Sequence, residues 1–516
     1  MNILKSLISL SFVTFISRIL GFVRDLLLAY MFGASGITDS FFLAFKVPNL
    51  FRRVFAESSF SQVFIPILSE YKINKDIKST KNFIANIFGF MIVVLSLFTI
   101  FGIYFASDII NICAPGFFNH PDKLYLTSQL LKVMFPYVLL ISLSSLTGSI
   151  LNSWNYFSMP ACSSIFLNIS IIIFMIFMTP YFNPKIFSLA WAIIVGGILQ
   201  LLYHFPYLIK INMLVFPKFN VLNLGLIKFL KQISVVILGT SINQISIIIA
   251  TMSSSFLISG SISWIYYSDR LIEFISSIFG VSLSTLLLPL LSKSINNANH
   301  KEYSNLLNWA LKLVFILVIP SAIILFMLSE SLITILFKYG AFTYNDVIMT
   351  KKILEFYSIG VLPFVLIKIL LVGFYSNQNI KTPMRISIFI VILTQFLNLI
   401  FIKNLQYTSF ALAISISSWI NFFLLYKKLC ENNIFITSKN WFNFLSKIVI
   451  SAIVMFILLF INIKIFPIEC EHRLFFKIIR LLYTCIFSGS GYLLTLYCLG
   501  IRLNHFLSPF DKVKSP

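Results

Sequence analysis

The sequence predicts an all-α polytopic membrane protein with about 14 transmembrane helices. Hydrophobic residues make up 59% of the 516 residues and charged residues only 11%, a balance that soluble globular domains do not have. Apolar stretches of about 20 residues, the length that a helix needs to cross the hydrocarbon core, recur along the whole chain. An internal repeat divides most of them into two sets of six. We therefore expect two six-helix lobes followed by a C-terminal helix pair.

The predicted spans follow one another and leave little sequence for a soluble domain. They cover residues 6–31, 39–69, 83–107, 125–151, 158–179 and 186–208, then 224–257, 262–292, 305–329, 348–375, 384–404 and 408–427, and finally 441–464 and 476–501. The first span begins like a signal peptide, but Arg18 interrupts it and apolar residues resume at Leu26, so we expect it to remain uncleaved. The predicted domains are an N-lobe at 1–215, a C-lobe at 216–432 and the helix pair at 433–516.

The repeat rests on four matches in the same order along the chain. Residues 64–70 align with residues 287–293, which places Pro66 and Pro289 at an offset of 289 − 66 = 223. The other pairs are Ser35 with Ser259 (259 − 35 = 224), Pro136 with Pro363 (363 − 136 = 227) and Pro160 with Pro383 (383 − 160 = 223). Two related bundles around a central site are frequent in transporters. Chance similarity between apolar helices is the alternative.

The distribution of basic residues predicts the orientation in the membrane. The segments after the even-numbered spans are basic, with Lys72, Lys75, Lys78, Lys81, Lys210, Lys218, Lys293, Lys301, Lys381, Arg385, Lys427, Lys428 and Lys439. Residues 108–124 carry a single lysine, and residues 257–261 carry no charge. Since basic loops stay in the cytoplasm, both termini are expected there. The basic segment at 464–477, which is predicted to lie outside, is an exception.

Several function classes are excluded or disfavoured by what the sequence contains. The formal charge of +22 does not indicate nucleic-acid binding, because the basic residues are scattered through short loops and no binding module has room. The six cysteines and five histidines are dispersed, so we expect neither a redox pair nor a metal site. No nucleotide-binding or catalytic motif occurs. We therefore expect a non-enzyme without a cofactor, driven by an ion gradient, by the membrane potential or by downhill flow of its substrate.

Charged residues within the predicted spans need a physical explanation. They include Arg18, Arg24, Arg52, Arg53 and Arg270. A charge at the bilayer centre costs about 2.5–3.5 kcal/mol on insertion scales. Contact of these side chains with lipid would thus be energetically unfavourable. We expect them to face a water-filled interior that receives a negatively charged group. For Arg24 and its neighbour Asp25, a position near the membrane interface, with the side chains reaching water, is an equal alternative.

The second and eighth spans place their charges in regular patterns. Asp39, Lys46, Arg53 and Glu57 fall within about 40° of one another on an ideal helix, whereas Arg52 lies about 100° away from Arg53. Alternating signs on one stripe predict partial neutralisation, and a packed ladder of ion pairs between helices is the alternative. In the eighth span, Arg270 and Glu273 are spaced i, i+3 and can form a pair.

The excess of arginine predicts an anionic ligand. Guanidinium groups bind phosphate or carboxylate through forked pairs of donors, which lysine cannot provide. A pyrophosphate attached to a lipid fits this chemistry, and so do a nucleotide and a fatty acid. These residue patterns do not distinguish a lipid pyrophosphate from a nucleotide or a fatty acid.

Longer motifs show a resemblance to a known family. They are SRILGFVRD at 17–25, FGASGITDSFFLAFKVPNLFRRVFAE at 32–57, FSQVFIPILSEY at 60–71 and YYSDRLIEF at 266–274. With these motifs the chain resembles the MurJ (MviN) family of lipid II flippases, within the multidrug/oligosaccharidyl-lipid/polysaccharide exporter superfamily. The match runs from Met1 to about residue 505.

The resemblance implies a fold, an activity and a location. It implies fourteen helices in two lobes around a V-shaped cationic cavity. It implies translocation of lipid II, the undecaprenyl-pyrophosphate-linked peptidoglycan precursor, from the cytoplasmic to the periplasmic leaflet of the bacterial inner membrane by alternating access. The implied partners are lipid II, bilayer lipids and other proteins of cell-wall synthesis. The last two helices are implied to form a hydrophobic groove for the lipid tail, although the charged residues around them, Lys447 and Lys464 among them, fit that role less well.

The family's functional charges are all present in this chain. By resemblance, Arg18, Arg24, Arg52 and Arg270 would bind the pyrophosphate and headgroup, and Asp39, Lys46, Arg53, Glu57 and Glu273 would set local charge and open or close gates. Two other functions remain as alternatives. An ion-coupled drug or organic-ion antiporter of the same superfamily would need acidic residues at the cavity positions, where basic residues prevail here. A non-transporting scaffold for wall synthesis would need neither intramembrane arginine nor a repeat.

Overall fold

The described part of the chain is helical throughout its regular structure. The computed structural model describes the backbone of residues 3–55, 58–220, 223–297, 299–431, 435–436, 441–465 and 474–502. Every regular element within these ranges is an α-helix, a 3₁₀ turn or a π turn. The predicted all-α class is therefore confirmed.

The helices follow the predicted spans, with several spans divided in two. They are α1 Ile3–Phe32, α2 Gly36–Phe55, α3 Ser58–Asn74, α4 Ile77–Tyr104, α5 Ala106–Cys113, α6 Pro121–Met134, α7 Tyr137–Ser153, α8 Ser158–Ile173, α9 Phe187–Lys210, α10 Leu224–Ser254, α11 Ser261–Ile275, α12 Ser282–Asn296, α13 His300–Met327, α14 Ser329–Phe337, α15 Tyr344–Ser376, α16 Lys381–Leu405, α17 Ser409–Glu431, α18 Trp441–Ile465 and α19 Leu474–Cys498. The fourth span is divided at Pro136, because proline has no backbone N–H to continue the helical hydrogen bonds. The eighth is divided by a π turn at Ser276–Val281.

Ten helical segments among the described residues are long and apolar enough to cross a membrane. They correspond to the predicted third to sixth and eighth to fourteenth spans, with residues 381–431 covering two of them. The second span differs because α2 carries Asp39, Lys46, Arg52 and Arg53. Parts of the first and seventh spans, in α1 and α10, lie outside the side chains that the structure describes.

The chain forms two compact units. The first comprises Met1–Ser263 and Tyr339–Phe342. In it α8 packs against α1 and α9, α2 packs against α6, and α10 packs against α3. A buried aromatic cluster closes its core, with Phe60 5.2 Å from both Phe64 and Phe229 between ring centroids. Burial of such rings away from water is the main stabilising term for this packing.

The second unit comprises Trp264–Lys338 and Thr343–Pro516. Its central helix is α15, which packs against α12, α13, α14 and α17. The last two helices pair with each other and dock on α13 through a buried cluster that includes Ile448, Met455 and Tyr492. The Tyr492 hydroxyl donates a hydrogen bond to the Ile316 carbonyl oxygen at 3.0 Å. The predicted lobes rest on the repeat rather than on packing, so their boundaries stay predictions.

Three hydrogen bonds connect loops of the first unit to neighbouring helices or loops. At one end, the Ala341 amide donates to the Tyr30 carbonyl at 2.8 Å, and the Gly116 amide donates to the Ser255 hydroxyl at 2.9 Å. These segments follow or end the first, third, seventh and ninth spans. At the other end, the segment after the sixth span lies on the start of the third, where Lys218 donates from its amide to Ala85 at 2.9 Å. Which membrane face each end occupies stays a prediction.

Gly89 offers a test of this second contact. A Cβ atom at Gly89 would lie 2.1 Å from the carbonyl oxygen of Lys218, so Gly89→Ala must displace the backbone of the loop. Overpacking of this kind typically costs about 1–3 kcal/mol. We expect a lower midpoint of thermal unfolding in detergent for this variant than for the wild type.

Gly489→Ala is the matched control for that substitution. Gly489 also lies inside a helix, but a Cβ atom there meets nothing within 4 Å. Alanine is a better helix former than glycine by about 1 kcal/mol, so this variant should keep or raise the midpoint. Equal midpoints for the two variants would show that the loop does not depend on Gly89.

Candidate functional site

Asp39 holds the beginning of α11. Its Oδ2 atom accepts a hydrogen bond from the Gly260 amide at 2.6 Å, and its Oδ1 atom accepts from the Ser263 amide at 2.9 Å and the Ser263 hydroxyl at 2.6 Å. The residue is only 3% exposed. The first amides of a helix have no partner within the helix and carry partial positive charge. The carboxylate on α2 therefore caps α11, which begins at Ser261.

The partner of Asp39 occupies the equivalent position in the repeat. The offset is 263 − 39 = 224, the same as that between Ser35 and Ser259. The hydrogen bond thus joins two positions that the repeat relates to each other. Ser263 is not among the residues predicted for the site, although this offset is the signal in the sequence that points to it.

Further along α2, the cations bind neighbours of their own. The Lys46 ammonium donates to the Thr251 hydroxyl on α10 at 3.3 Å, and the Arg52 Nε atom donates to the Asn49 side chain at 2.7 Å. Seven residues of helix rise by about 10.5 Å, so Lys46 lies too far along the axis to neutralise Asp39 directly. In the first half of the predicted stripe, the described hydrogen bonds of Asp39 and Lys46 go to different partners, Ser263 and Thr251.

Three further residues were predicted to belong to the site. The side chain of Arg53 and the whole of Glu57 lie outside the described residues. Arg18 is exposed on α1. The part that these three play in any shared site stays a prediction.

Arg24 and Asp25 form a largely buried ion pair. One carboxylate oxygen of Asp25 accepts from the Nε and Nη2 atoms of Arg24 at 2.9 and 2.7 Å. The Nη1 atom of Arg24 donates to the Asn168 side chain on α8 at 3.0 Å. The exposed fractions of the two side chains are 15% and 3%. Asp25 therefore does not reach water, and the pair ties α1 to α8 inside the first unit.

Arg270 and Glu273 form the predicted i, i+3 pair on α11. The Nη1 atom of Arg270 donates to Oε2 of Glu273 at 2.7 Å, and the side chains are 35% and 62% exposed. The guanidinium carbon also lies 4.7 Å from the centroid of the Tyr266 ring, within cation–π distance. This arginine is thus oriented by an aromatic face and by a carboxylate that water can reach.

A lysine that the sequence analysis did not single out supports the turn after Glu273. The Lys368 ammonium on α15 donates to the carbonyl oxygen of Ser276 at 3.1 Å and to its hydroxyl at 2.8 Å. Ser276 begins the π turn, and π turns are frequent at functional positions. The two residues are 92 positions apart in sequence, which hides the contact from local patterns.

The structure also describes an apolar cavity of about 310 Å³ in the second unit. It lies among α13, α15, α17 and α18, and its lining residues are Ile319, Ala322, Ile323, Phe326, Ser358, Ile359, Leu362, Trp419 and Phe456. The predicted groove involves both of the last two helices, whereas this cavity borders the first of them, through Phe456. Among the described residues, no group of His, Cys, Asp or Glu could hold a metal ion.

Among the described residues that carry the predicted charges, two pairs of opposite charge are in direct contact. Arg24 with Asp25 and Arg270 with Glu273 are brought together, while Asp39, Lys46 and Arg52 each bond to uncharged groups. That Arg18, Arg24, Arg52 and Arg270 border one cavity stays a prediction.

The buried pair on α1 can be tested by a double-mutant comparison. Arg24→Gln leaves the Asp25 carboxylate buried without its cation, which costs about 3–5 kcal/mol for a buried pair. We expect Arg24→Gln to lower the midpoint of thermal unfolding in detergent. Adding Asp25→Asn should restore most of the loss.

The exposed pair of Lys428 and Glu431 is the control, because its side chains are 53% and 42% exposed. Exposed pairs contribute about 0–1 kcal/mol, so Lys428→Gln should change the midpoint little. A failure of Asp25→Asn to compensate would mean that Arg24 acts through contacts other than this pair.

Comparisons of sequence identify relatives along almost the whole chain. The family model described as "Lipid II flippase MurJ" matches residues 28–479. A "Probable lipid II flippase MurJ" of Buchnera aphidicola subsp. Baizongia pistaciae is 74% identical over 506 residues, which are 98% of this chain and 99% of that protein. The "Lipid II flippase MurJ" of Burkholderia cenocepacia is 38% identical over 459 residues, covering 88% of this chain and 89% of that protein.

Comparisons of structure agree with the sequence. A solved "Lipid II flippase MurJ, inward closed conformation" superposes with a TM-score of 0.82 at 27% identity, covering 97% of this chain and 100% of that chain. A multidrug resistance MATE family transporter of the MOP superfamily shares the fold, with a TM-score of 0.66 at 11% identity over 80% of this chain and 95% of that one. Given these matches and the apolar helices that carry them, the chain belongs to the MurJ family of lipid II flippases, which are multi-pass membrane transporters.

Proposed function

We propose that this protein moves lipid II from the cytoplasmic to the periplasmic leaflet of the bacterial inner membrane, with both termini in the cytoplasm. The observation that carries the proposal is the presence of Arg18, Arg24, Arg52 and Arg270 on helices of a chain whose family acts on a lipid pyrophosphate. Such residues are costly in a membrane unless they serve a polar pathway. Binding of a diphosphate headgroup would offset the energetic cost of these arginines.

The arginine contacts support an exchange of anionic partners. Arg270 is bound by Glu273, and both side chains are accessible to water. A phosphate oxygen offers the guanidinium the same paired geometry as a carboxylate and carries more charge. We propose that the pyrophosphate replaces Glu273 at Arg270, while Arg18, Arg24 and Arg52 contact the rest of the headgroup. Glu273, Lys46, Arg53 and Glu57 then set the local charge around it.

Asp39 supports an alternating-access cycle with a gate at the predicted periplasmic end. Its three hydrogen bonds hold the start of α2 to the start of α11. They must break if these two segments separate to release a headgroup, at about 1.5–3 kcal/mol for each bond to a charged group. A membrane potential supplies about 2.3 kcal/mol per charge per 100 mV, so a cationic cavity that moves in the field, or an ion gradient, could drive the opening.

The undecaprenyl tail needs an apolar path while the headgroup crosses. We propose that the C-terminal pair, α18 and α19, provides this path together with the cavity beside Phe456. Burial of each methylene in such a path is worth about 0.8 kcal/mol relative to water. Bilayer lipids and other cell-wall synthesis proteins are further proposed partners.

The experiment that tests the function uses purified protein in liposomes that contain labelled lipid II. The flippase should increase the fraction of label that an external reagent can reach. Transport of organic cations without lipid flipping would instead support the antiporter, and a lack of both activities would support the scaffold.

Arginine-to-lysine substitutions test the forked contact. Arg18→Lys and Arg270→Lys keep the charge but lose the planar pair of donors. We expect both variants to fail to sustain growth in a strain that lacks its own flippase, and to flip lipid II at least about tenfold more slowly in liposomes, the scale of one charge-assisted hydrogen bond.

Arg385→Lys is the matched control, because Arg385 is exposed near the start of α16, outside the proposed headgroup site. This variant should grow and flip lipid II as the wild type does. Normal growth with Arg18→Lys and Arg270→Lys would contradict a bidentate contact with the diphosphate.

A further inference from the structure

A second carboxylate holds the first turn of α11. Asp346, on α15, accepts a hydrogen bond at Oδ1 from the Trp264 indole nitrogen at 2.9 Å. Its Oδ2 atom accepts from the Thr343 amide at 2.8 Å and the Thr343 hydroxyl at 2.7 Å. Asp346 is only 6% exposed. Both oxygens of this buried carboxylate are therefore satisfied, as burial requires.

Trp264 directly follows the residue that Asp39 binds. Ser263 donates to Asp39, and the next side chain along the chain donates to Asp346. Trp264 is 3% exposed and its ring lies edge-on to Tyr407, with centroids 5.5 Å apart. Within the second unit, the indole is thus held by a hydrogen bond to Asp346 and by the ring of Tyr407.

The other oxygen of Asp346 joins a second segment of the same end. Asp346 and Thr343 form a reciprocal capping box at the start of α15. The residues just before this box contact α1, since the Ala341 amide donates to the Tyr30 carbonyl at 2.8 Å. Each of these bonds lies within one unit, and the covalent chain links them at Ser263–Trp264 and Phe342–Thr343. Asp346 contacts Trp264 and Thr343, the residues of the second unit at these two links.

We propose that Asp346 is a positioning residue for the Asp39 gate, a role that rests on the proposed function. Capping of α15 accounts for the oxygen that Thr343 occupies. It does not account for the other oxygen, which binds an indole from α11. That second bond holds the amides of α11 where Asp39 can accept from them, so the loss of the Asp346–Trp264 bond weakens the Asp39 contact without changing Asp39 itself.

A cysteine pair reports whether the gate is closed. A Cβ atom at Gly36, at the start of α2, would lie 3.6 Å from the Ser259 hydroxyl oxygen. Gly36→Cys with Ser259→Cys is thus placed for a disulfide. The Lys123 ammonium, which also lies near this Cβ atom, donates a hydrogen bond to the Ser259 hydroxyl, and Ser259→Cys removes that acceptor so that the lysine can move aside. The rate of disulfide formation under a mild oxidant, followed in membranes by mass spectrometry of the linked peptide, measures how often the two segments meet.

In this reporter background, Asp346→Asn and Trp264→Phe should each lower the initial rate of disulfide formation relative to the unsubstituted reporter, because losing a hydrogen bond to a charged acceptor reduces the fraction of time that the two segments spend together. Combining them should slow it no further, because both remove the same bond. Thr343→Ala removes the cap hydroxyl and keeps the indole contact, so it should leave the rate unchanged. Trp264→Phe keeps an aromatic ring against Tyr407 and carries the test alone if Asp346→Asn fails to fold.

Trp441→Phe is the matched control. It removes an indole hydrogen bond in the same unit, to Asn308 at 2.8 Å, away from α11, and should not change the rate. Unchanged rates with Asp346→Asn and Trp264→Phe would overturn the inference even if the wild type flips lipid II. Slowed rates with both, in a protein that does not flip lipid II, would leave the positioning role standing and reject the proposed function.

Discussion

The first unit depends on a buried carboxylate that finds its donors at the start of another helix. Asp39 would be costly to bury alone, and it is stabilised by the amides of Gly260 and Ser263 together with the Ser263 hydroxyl. The positive end of α11 supplies part of the charge compensation. This contact fixes where α11 begins. Arg270 and Glu273 lie further along the same helix, 270 − 263 = 7 and 273 − 263 = 10 residues after Ser263.

Hydropathy was enough to predict the class and order of the helices, because the length of an apolar stretch is set by bilayer thickness. It could not predict how the backbone is interrupted. The eighth span reads as one apolar run, yet it contains a π turn whose carbonyl at Ser276 is bound by Lys368. The start of α15 was placed at residue 348, whereas the helix begins at Tyr344. Its first turn is polar and capped by Thr343, which lowers hydropathy but not helicity.

The candidate site could be predicted only where its contacts are local. The pair of Arg270 and Glu273 follows from helix geometry, and the structure contains it. The contact between Arg24 and Asn168 spans 144 positions, and no periodicity in the sequence connects these two helices. The partner of Asp39 is an intermediate case, because an internal repeat with an offset of 224 carries long-range information that composition does not. The sequence shows which residues are charged, whereas the structure is needed to show which of them contact each other.

The stacking of Arg270 on Tyr266 has a consequence for how an anion could be exchanged at this position. An arginine on a flexible stem normally loses rotamer freedom when it binds, and that loss reduces affinity. Here the aromatic face already restrains the guanidinium plane before any ligand arrives. An anion that displaced Glu273 would bind a guanidinium group that is already ordered. Less rotamer entropy would be lost on binding, so the affinity would be higher.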